Sequence, residues 1–434
     1  MVVKGLALGG EGGTHPRCRF EGAGFGDGVR SASVNATVVD ALSGTVACLT
    51  PPMSGVEPIA LVNVSLELWR HGQLLVTQPA ARLPFAVFND SNDADGANDA
   101  NDADGADGAA AAALTPTAAP MLGGTLLHFA AARLPPGLTA VGGFLNCSCR
   151  FDISATRWDW RAAHTAADAL ITTPASLSGG DGSGGLQCVS PRVELTAGQM
   201  LFGEGCSLPL LLSLNGQQYA PQPTPLHVYP PPVLAFTSPA CGPVNGGTAV
   251  AVIGDKLRGG SAYRCRFGGL AVEATYESTR QGDLLHCSPT PPASAALNLS
   301  SAEIARQIGG SLAAPFAISL NGQQFVSAAA QPTFAFYNEP PLAALVEPLG
   351  GRPGTVVTVF GGGLGGGCAH RCRFGRETNA TAEGTYEAAR GKLTCAAPTS
   401  LPSGALSGAL SGPISISLNG QQYGPTGFNF SSVD

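Results

Sequence analysis

The chain has 434 residues, enough for about three to four domains of ordinary size. Its 59 Gly and 34 Pro, with only 12% charged residues, are typical of an all-β protein with many strands and turns. The net charge of −7 is modest and the 23 Lys and Arg are dispersed, which excludes an extended nucleic-acid surface. No apolar run reaches the roughly 18 residues of a membrane-spanning helix.

Four short phrases recur along the chain in a fixed order. A Gly-Gly-Thr turn opens an apolar strand, a Cys-Arg-Phe triplet follows, and then a cysteine comes shortly before a proline. The last phrase is the heptad Ser-Leu-Asn-Gly-Gln-Gln-Tyr or its Phe variant, at 213–219, 319–325 and 417–423. The phrases return after about 100 to 120 residues, which is the size of an immunoglobulin-like sandwich.

The repeats divide the chain into four predicted units. In unit one, the residues from Val2 to Leu6 align with the end of the Gly-Gly-Thr strand of later units, so we expect a fragment of a longer array. Unit two is divergent and carries an insertion before Cys188. The predicted boundaries are 1–88 for unit one, 89–113 for an acidic linker, 114–230 for unit two, 231–337 for unit three and 338–434 for unit four.

The linker between units one and two is rich in Asn, Asp, Gly and Ala. Its alternating acidic residues are candidate calcium ligands, at Asp93, Asp95, Asp102 and Asp104. The alternative is a solvated, flexible linker. We favour the linker, because the segment has neither the twelve-residue EF-hand spacing nor its terminal Glu.

The heptad contains the strongest short signal for a β-hairpin, Asn-Gly. The favoured two-residue turn needs positive φ at both positions, and these two residue types tolerate it best. We therefore predict a tight turn between antiparallel strands in three units, at Asn215, Gly216, Asn321, Gly322, Asn419 and Gly420.

In unit three the Gly-Gly-Thr phrase belongs to a longer pattern of Pro239, Gly242, Pro243, Gly246, Gly247, Thr248, Val250, Val252, Gly254 and Leu257. Unit four repeats it less fully, in Pro348, Gly354, Thr355, Val357, Val359, Gly361 and Leu364. With Cys-Arg-Phe-Gly and the later cysteine, these phrases resemble the IPT/TIG family of immunoglobulin-like domains, found in plexins, related receptors and some transcription factors. The resemblance implies an all-β fold of tandem immunoglobulin-like (E-set) β-sandwich domains in a linear array.

Twelve cysteines divide into four repeated pairs and four others. Each pair links the strands of one unit, so we expect disulfides Cys18–Cys48, Cys149–Cys188, Cys265–Cys287 and Cys372–Cys395. Such bridges, each closing a loop of roughly 20 to 40 residues, stabilise a small sandwich by roughly 3 kcal/mol. Reduced buried cysteines and a metal site are the alternatives, and the metal is disfavoured because the sequence has no C-x-x-C pair.

The remaining cysteines suggest bridges of another kind. Cys241 and Cys368 belong to loops that face each other where units three and four should meet, so we hypothesise an inter-unit disulfide. Cys147 and Cys206, which are peculiar to unit two, are a second candidate pair.

Glycosylation triplets agree with an oxidising compartment, with candidate sites at Asn35, Asn298 and Asn379. The insertion of unit two is the candidate binding site, because Trp158 and Trp160 belong to a residue type that is enriched in binding hot spots. The alternative is that one Trp fills the sandwich core and the other packs the insertion.

Nearly every distinctive feature is used three or four times, whereas catalytic machinery would be used once. The sequence therefore predicts a non-enzymatic protein with no catalytic residue, no resident metal and no cofactor. We expect an extracellular or cell-surface interaction or adhesion array, or a receptor-ectodomain fragment, whose loops and edges bind other proteins or cell-surface glycans. Membrane attachment would come only from parts outside this chain.

Two other functions are considered. An intracellular TIG module of a transcription factor is disfavoured by the acidic balance and the paired cysteines. An accessory carbohydrate-binding module would need exposed aromatic platforms, which the sequence neither supports nor excludes.

Overall fold

The structure of the protein is a computed structural model. It describes residues 2–3, 14–21, 31–40, 45–51, 59–70, 73–77, 83–88, 114–130, 146–154, 169–177, 185–203, 205–280, 282–306, 311–327, 333–338, 342–375, 380–399 and 411–433. Almost all regular structure in these ranges is β-strand, and the strands fall into four groups along the chain. No helix among the described residues is long and apolar enough to cross a membrane.

Unit one contains seven strands: β1 (Val2–Val3), β2 (Thr14–Glu21), β3 (Ser31–Asp40), β4 (Thr45–Cys48), β5 (Ile59–Arg70), β6 (Gln73–Thr77) and β7 (Leu83–Phe88). They hydrogen-bond in the order β1-β4-β3-β2-β5-β6, and β7 also pairs with β5. Phe20 of the Cys-Arg-Phe triplet is fully buried on β2. Unit one therefore places its triplet at the centre of the sheet.

Unit two contains ten strands and a short helix: β8 (Leu114–Thr115), β9 (Ala118–Pro120), β10 (Leu126–Phe129), β11 (Ser148–Asp152), β12 (Leu170–Leu177), β13 (Leu186–Val189), α1 (Ala197–Phe202), β14 (Cys206–Leu208), β15 (Leu210–Ser213), β16 (Ala220–Pro221) and β17 (Leu226–Tyr229). One path runs β16-β15-β11-β12-β13-β10-β8 and a smaller sheet runs β14-β17-β9. The β9–β17 pair is parallel.

Unit three contains eight strands and two short helices: β18 (Val233–Ser238), β19 (Cys241–Pro243), β20 (Val250–Asp255), β21 (Arg264–Phe267), β22 (Leu270–Thr279), β23 (Gly282–Cys287), α2 (Ala293–Leu297), α3 (Ser301–Arg306), β24 (Ser311–Ser319) and β25 (Thr333–Tyr337). The strands follow the path β18-β20-β23-β22-β21-β24-β25-β19, in which β19 and β25 are parallel.

Unit four has the same path: β26 (Leu342–Glu347), β27 (Gly350–Gly351), β28 (Val356–Gly362), β29 (Arg371–Phe374), β30 (Thr381–Glu387), β31 (Lys392–Ala396), β32 (Gly412–Ser417) and β33 (Gly424–Ser432). They follow the order β26-β28-β31-β30-β29-β32-β33-β27, again with a parallel closing pair, β27 and β33. Units three and four are thus two copies of one topology.

One strand passes from the first face of each sandwich to the second. In unit three the first part of β22 pairs with β21, and from Ala274 onward the same strand pairs with β23. The strand β30 makes the same crossing in unit four, and β12 makes it in unit two. This crossing folds each path of strands into two faces around one core, so the chain is a tandem series of immunoglobulin-like β-sandwiches.

The repeated cysteine pairs close these sandwiches from within. Disulfides join Cys18–Cys48, Cys149–Cys188, Cys265–Cys287 and Cys372–Cys395. In unit three the bridge links β21 to β23, the two strands on either side of the crossing strand.

An aromatic cluster fills the core beside this bridge. The ring of Phe267 lies 5.0 Å from Phe316 and 5.2 Å from Phe334, measured between centroids. All three side chains are buried. Burial of one such ring stabilises the fold by about 1.5–3 kcal/mol.

Candidate functional site

The heptads form wider loops than the tight turns expected of Asn-Gly. At the unit-three loop only Gly322 has positive φ (78°), whereas Asn321 does not. Its carboxamide instead closes the loop, because Oδ1 accepts hydrogen bonds from the backbone N–H groups of Gln323 (3.1 Å) and Gln324 (3.2 Å). Antiparallel pairing does flank the loop, as at Ile318 and Val326, but the predicted two-residue turn was wrong in its geometry, since an Asx-type side-chain bond replaces it. The same bonds recur at Asn215 and Asn419.

This closure directs two glutamine side chains away from their own sandwich. At the junction of units two and three, Gln323 reaches the first residue of β10 in unit two. Its Oε1 accepts from Leu126 N at 2.8 Å and its Nε2 donates to Leu126 O at 2.8 Å. A carboxamide carries one acceptor and N–H donors, like a peptide group, so Gln323 binds Leu126 as a neighbouring strand would.

The next two contacts surround a threonine hydroxyl. Gln324 Nε2 donates to Gly124 O at 2.9 Å, and Asn321 Nδ2 donates to Thr125 Oγ1 at 3.0 Å. The Thr125 hydroxyl in turn donates to Gln324 Oε1 at 3.0 Å. Thr125 is fully buried, so its hydroxyl needs these partners. We call this set of contacts the amide clamp: an Asn and two Gln on one unit, bound to a Gly-Thr-X segment of the preceding unit.

The junction of units three and four repeats the amide clamp. Gln421 accepts from Ala249 N at 3.0 Å and donates to Ala249 O at 2.7 Å. Gln422 Nε2 donates to Gly247 O at 2.9 Å, and Asn419 Nδ2 donates to the Thr248 hydroxyl at 3.2 Å. At both described junctions, therefore, the two Gln bind the same backbone positions and the Asn binds the same threonine hydroxyl.

A covalent bond reinforces the second junction. A disulfide joins Cys241 of unit three to Cys368 of unit four, with 5.8 Å between their Cα atoms. The corresponding positions at the other junction are Ala118 and Ser261, where Ala118 N donates to Ser261 Oγ at 3.2 Å. The disulfide hypothesised between Cys241 and Cys368 is thus present. At the junction of units two and three, a hydrogen bond takes the place of this disulfide.

The arginine of each Cys-Arg-Phe triplet in units two to four covers the aromatic residue that ends the heptad. The guanidinium carbon lies 3.4 Å from the ring centroid of Tyr219 for Arg150, and 4.2 Å from that of Phe325 for Arg266. Arg373 and Tyr423 make the same contact in unit four at 4.6 Å. Each cation–π contact at an exposed site contributes about 0.5–1 kcal/mol, so it holds the end of the clamp loop against its own sandwich.

Buried side chains also fill the junction of units two and three. Tyr229 of unit two is 2% exposed and packs with the core of unit three. A Cβ placed on Gly259 of unit three would lie 2.6 Å from His227 Nε2, so the two units approach closely there. His227 Nε2 is buried without a hydrogen-bond partner in the described structure, and burial lowers the pKa of this imidazole. Protonation of His227 would place an uncompensated charge between the units.

The second candidate disulfide is absent. Cys147 and Cys206 are free and buried, and that prediction was wrong. Cys147 precedes β11 in the larger sheet and its thiol donates to Leu214 O at 3.8 Å, whereas Cys206 begins β14 in the smaller sheet. Burial raises the pKa of the Cys147 thiol to about 11 and also raises that of Cys206, so both stay protonated at neutral pH.

The other candidate residues are divided between described and undescribed ranges. Asn35 and Asn298 are exposed, as a glycan acceptor requires. Asn379, Trp158, Trp160 and the acidic linker lie outside the described residues. Within the described ranges, no group of three or more His, Cys, Asp or Glu side chains is placed to hold a metal ion.

Comparisons with known proteins give structural likenesses only. No protein-family model and no curated protein sequence matches the chain. A plexin A4 extracellular region, domains 1 to 10, is 13% identical with a TM-score of 0.35, and the overlap covers 99% of this chain but 36% of that one. The chain thus spans about a third of that region. An ICAM-5 D1–D4 ectodomain fragment is 12% identical over 97% of this chain and 96% of that one, with a TM-score of 0.20.

A third likeness is to the Bacteroides ovatus protein SGBP-B, solved with a mixed-linkage heptasaccharide. It is 13% identical over 53% of this chain and 54% of that one, with a TM-score of 0.20. Overlaps of this size assign no function.

Sequence reasoning found the clamp residues without their role. The heptad was visible as a repeat, but Asn-Gly was assigned to a turn and the two glutamines to a strand. A signal was present: two consecutive Gln are retained in all three copies, although a hairpin does not require them. A polar pair kept in every copy of a repeat indicates a role beyond the turn, and among the described residues two of the three copies make the contact between units.

Proposed function

We propose that the chain is a stiff extracellular array of IPT/TIG-like β-sandwiches, which holds binding surfaces at fixed spacing for adhesion or as part of a receptor ectodomain. The observation that carries the proposal is the amide clamp, which recurs at both described junctions with the same residue types and bonds. Domains on flexible linkers move independently by default and need no such contacts. Specific bonds at both described junctions favour a fixed orientation instead.

The compartment is inferred from the cysteines. Five disulfides are present, and disulfides persist in oxidising environments but are rare in the cytosol. This supports an extracellular array over an intracellular transcription-factor module. Other proteins or cell-surface glycans are the proposed partners, bound through loops and edges, with no cofactor and no catalytic role.

A scattering experiment tests the stiffness. The full chain is secreted from animal cells, and its small-angle X-ray scattering is compared with that of a variant carrying Gln323→Ala and Gln421→Ala. We expect a narrow distance distribution for the wild type and a broader, more bent one for the variant. Distance distributions of equal breadth in the two proteins would contradict a stiff array.

A binding experiment tests the interaction role. Beads carrying the secreted chain are added to intact cells, to cells treated with protease and to cells treated with glycosidase. Binding that is lost after protease or glycosidase identifies a protein or glycan partner, respectively. Retention no higher than that of beads carrying the unfolded, reduced chain would contradict an adhesive role.

A further inference from the structure

A cavity opens to solvent where units two and three meet, and both units supply its walls. Its volume is about 600 Å³, within the range of small-molecule sites in proteins. Unit two contributes the segment 114–117 and, from β10, Leu126 and His128. Unit three contributes Arg264 of β21, Ala271 of β22 and the clamp loop. A ligand in this cavity would therefore contact both units at once.

The amide clamp fixes the distance between these walls. Gln323, which lines the cavity, binds the backbone of Leu126 with two hydrogen bonds of 2.8 Å. Ala118 N follows the segment 114–117 and donates to Ser261 Oγ of the unit-three wall at 3.2 Å. The two walls are therefore held in place by bonds between the units, and a binding site needs walls held in this way.

The cavity wall carries a positive charge without an ion-pair partner. Arg264 is half-buried, and a Cβ added to Gly322 would lie 3.8 Å from its Nε, so the arginine side chain lies beside the clamp loop. Its cross-strand partner is Glu273, but among the described residues Arg264 forms no ion pair. The described residues that line the cavity include no Asp or Glu. A guanidinium binds a carboxylate through two parallel N–H···O bonds, so the cavity is complementary to a carboxylate.

The junction of units three and four has a different arrangement at the same positions. Arg371 is the counterpart of Arg264, and its guanidinium lies 4.0 Å from the carboxylate of its cross-strand partner Glu383. Ala251 takes the place of His128 there, as the strand registers show. An unpaired arginine on the same cavity wall as an imidazole is therefore specific to the first of the two described junctions.

The rest of the wall is suited to a sugar ring. Leu126 is 45% exposed and Phe325 is half-buried, so both offer apolar surface to the C–H face of a ring. Thr115 and Thr117 add hydroxyl groups, each able to donate and to accept, which make no hydrogen bond to another described residue. An acidic side chain of a protein partner would use the arginine but offer nothing to these hydroxyls.

From these features we infer that the cavity binds an acidic sugar, such as a uronic acid at the end of a cell-surface glycan. The Arg264 guanidinium pairs with the carboxylate, the two threonine hydroxyls bind sugar hydroxyls, and the apolar walls cover the C–H face of the ring. Because the sugar touches both units, its binding also stabilises the junction that the amide clamp forms. The inference names one partner class within the proposed function and rests on it.

A matched pair of sugars tests the inference. Methyl β-D-glucuronide and methyl β-D-glucoside differ only in that the first has a carboxylate where the second has a hydroxymethyl group. Each is titrated into the full chain, isotope-labelled at its Leu and Ala methyl groups, and binding is followed by NMR. We expect the glucuronide to shift the signals of Leu126 in unit two and Ala271 in unit three. The glucoside should bind roughly tenfold more weakly or worse. Shifts confined to one unit, or equal binding of the two sugars, would overturn the inference.

Two arginine variants assign the charge. Arg264→Gln should weaken glucuronide binding by roughly tenfold and leave the weak glucoside binding unchanged. Arg371→Gln makes the same change in unit four and is the matched control, which should bind the glucuronide like the wild type. An equal loss in the two variants would mean that positive charge attracts the sugar from any position, and the cavity would not be the site.

A third probe separates the sugar from a protein partner. Glutamate with its amino group acetylated and its α-carboxyl group amidated carries the same carboxylate on a peptide-like frame. Tighter binding of this probe than of the glucuronide would assign the cavity to an acidic side chain and overturn the sugar. The inference and the proposed function fail separately. A cavity that binds no sugar leaves the scattering of the array unchanged, and a flexible array would be seen in the scattering whatever the cavity binds.

Discussion

The hydrogen exchange of one backbone amide reports directly on the amide clamp. Leu126 N donates to Gln323 Oε1 of the next unit, and Leu126 O accepts from Nε2 of the same side chain. Replacing Gln323 with Ala removes both bonds and leaves the strand of Leu126 otherwise intact. The substitution therefore exposes one amide while the sandwich core is unchanged.

The magnitude follows from the number of bonds lost. Each contributes about 0.5–1.5 kcal/mol net, so the two together contribute about 1–3 kcal/mol. At about 1.4 kcal/mol per tenfold, the Leu126 amide should exchange roughly 5- to 150-fold faster in Gln323→Ala. Because the Gln323 bonds are exposed to water, we expect a value in the lower part of this range.

The measurement is hydrogen–deuterium exchange resolved by residue, in dilute solution. Gln217→Ala makes the same chemical change in the unit-two loop, which does not contact Leu126, and should leave the Leu126 amide as slow as in the wild type. Gln421→Ala should speed the exchange of Ala249 in the same way, although the Cys241–Cys368 disulfide still holds units three and four together. If Leu126 exchanges equally in the wild type and in Gln323→Ala, the clamp does not form in solution.

Three other outcomes are expected. The double variant Ala118→Cys with Ser261→Cys should form a second inter-unit disulfide, because these residues already contact each other. Non-reducing peptide mapping should show the bridge, and the melting temperature should rise. Two free thiols after oxidation would mean that the two residues are too far apart to bond. Burial lowers the pKa of His227, so the unfolded state binds its proton more readily and stability should fall as pH drops below about 6.5. As the pH is lowered from 7.5 to 5, the midpoint of urea unfolding should fall less in His227→Gln than in the wild type. An equal fall in the two proteins would contradict this. Phe267→Ala should lower the free energy of unfolding by about 3–5 kcal/mol in urea titrations, whereas a loss below about 1 kcal/mol would mean that the aromatic core repacks.

The sequence alone indicated most of the fold. A four-phrase repeat of sandwich length, rich in glycine and β-branched residues, specifies strands and turns through local backbone preferences. The cysteines were informative for a similar reason. A pair such as Cys265 and Cys287 recurs in every unit at the same place in the phrase order, and the structure joins it. The Cys147–Cys206 pair had no such recurrence, and it is open.

The role of the heptad was decided only by the tertiary structure. Gln323 binds the backbone of Leu126, a residue 197 positions earlier in another unit. Every residue except proline carries the same backbone N–H and C=O, so the sequence does not mark which ones a distant side chain will bind. The sequence did contain the clamp glutamines and the Gly-Thr segments, but only the stacking of one sandwich on the next brings them together. Local pattern fixed the shape of each unit, and the contact between units depended on how two finished surfaces fit.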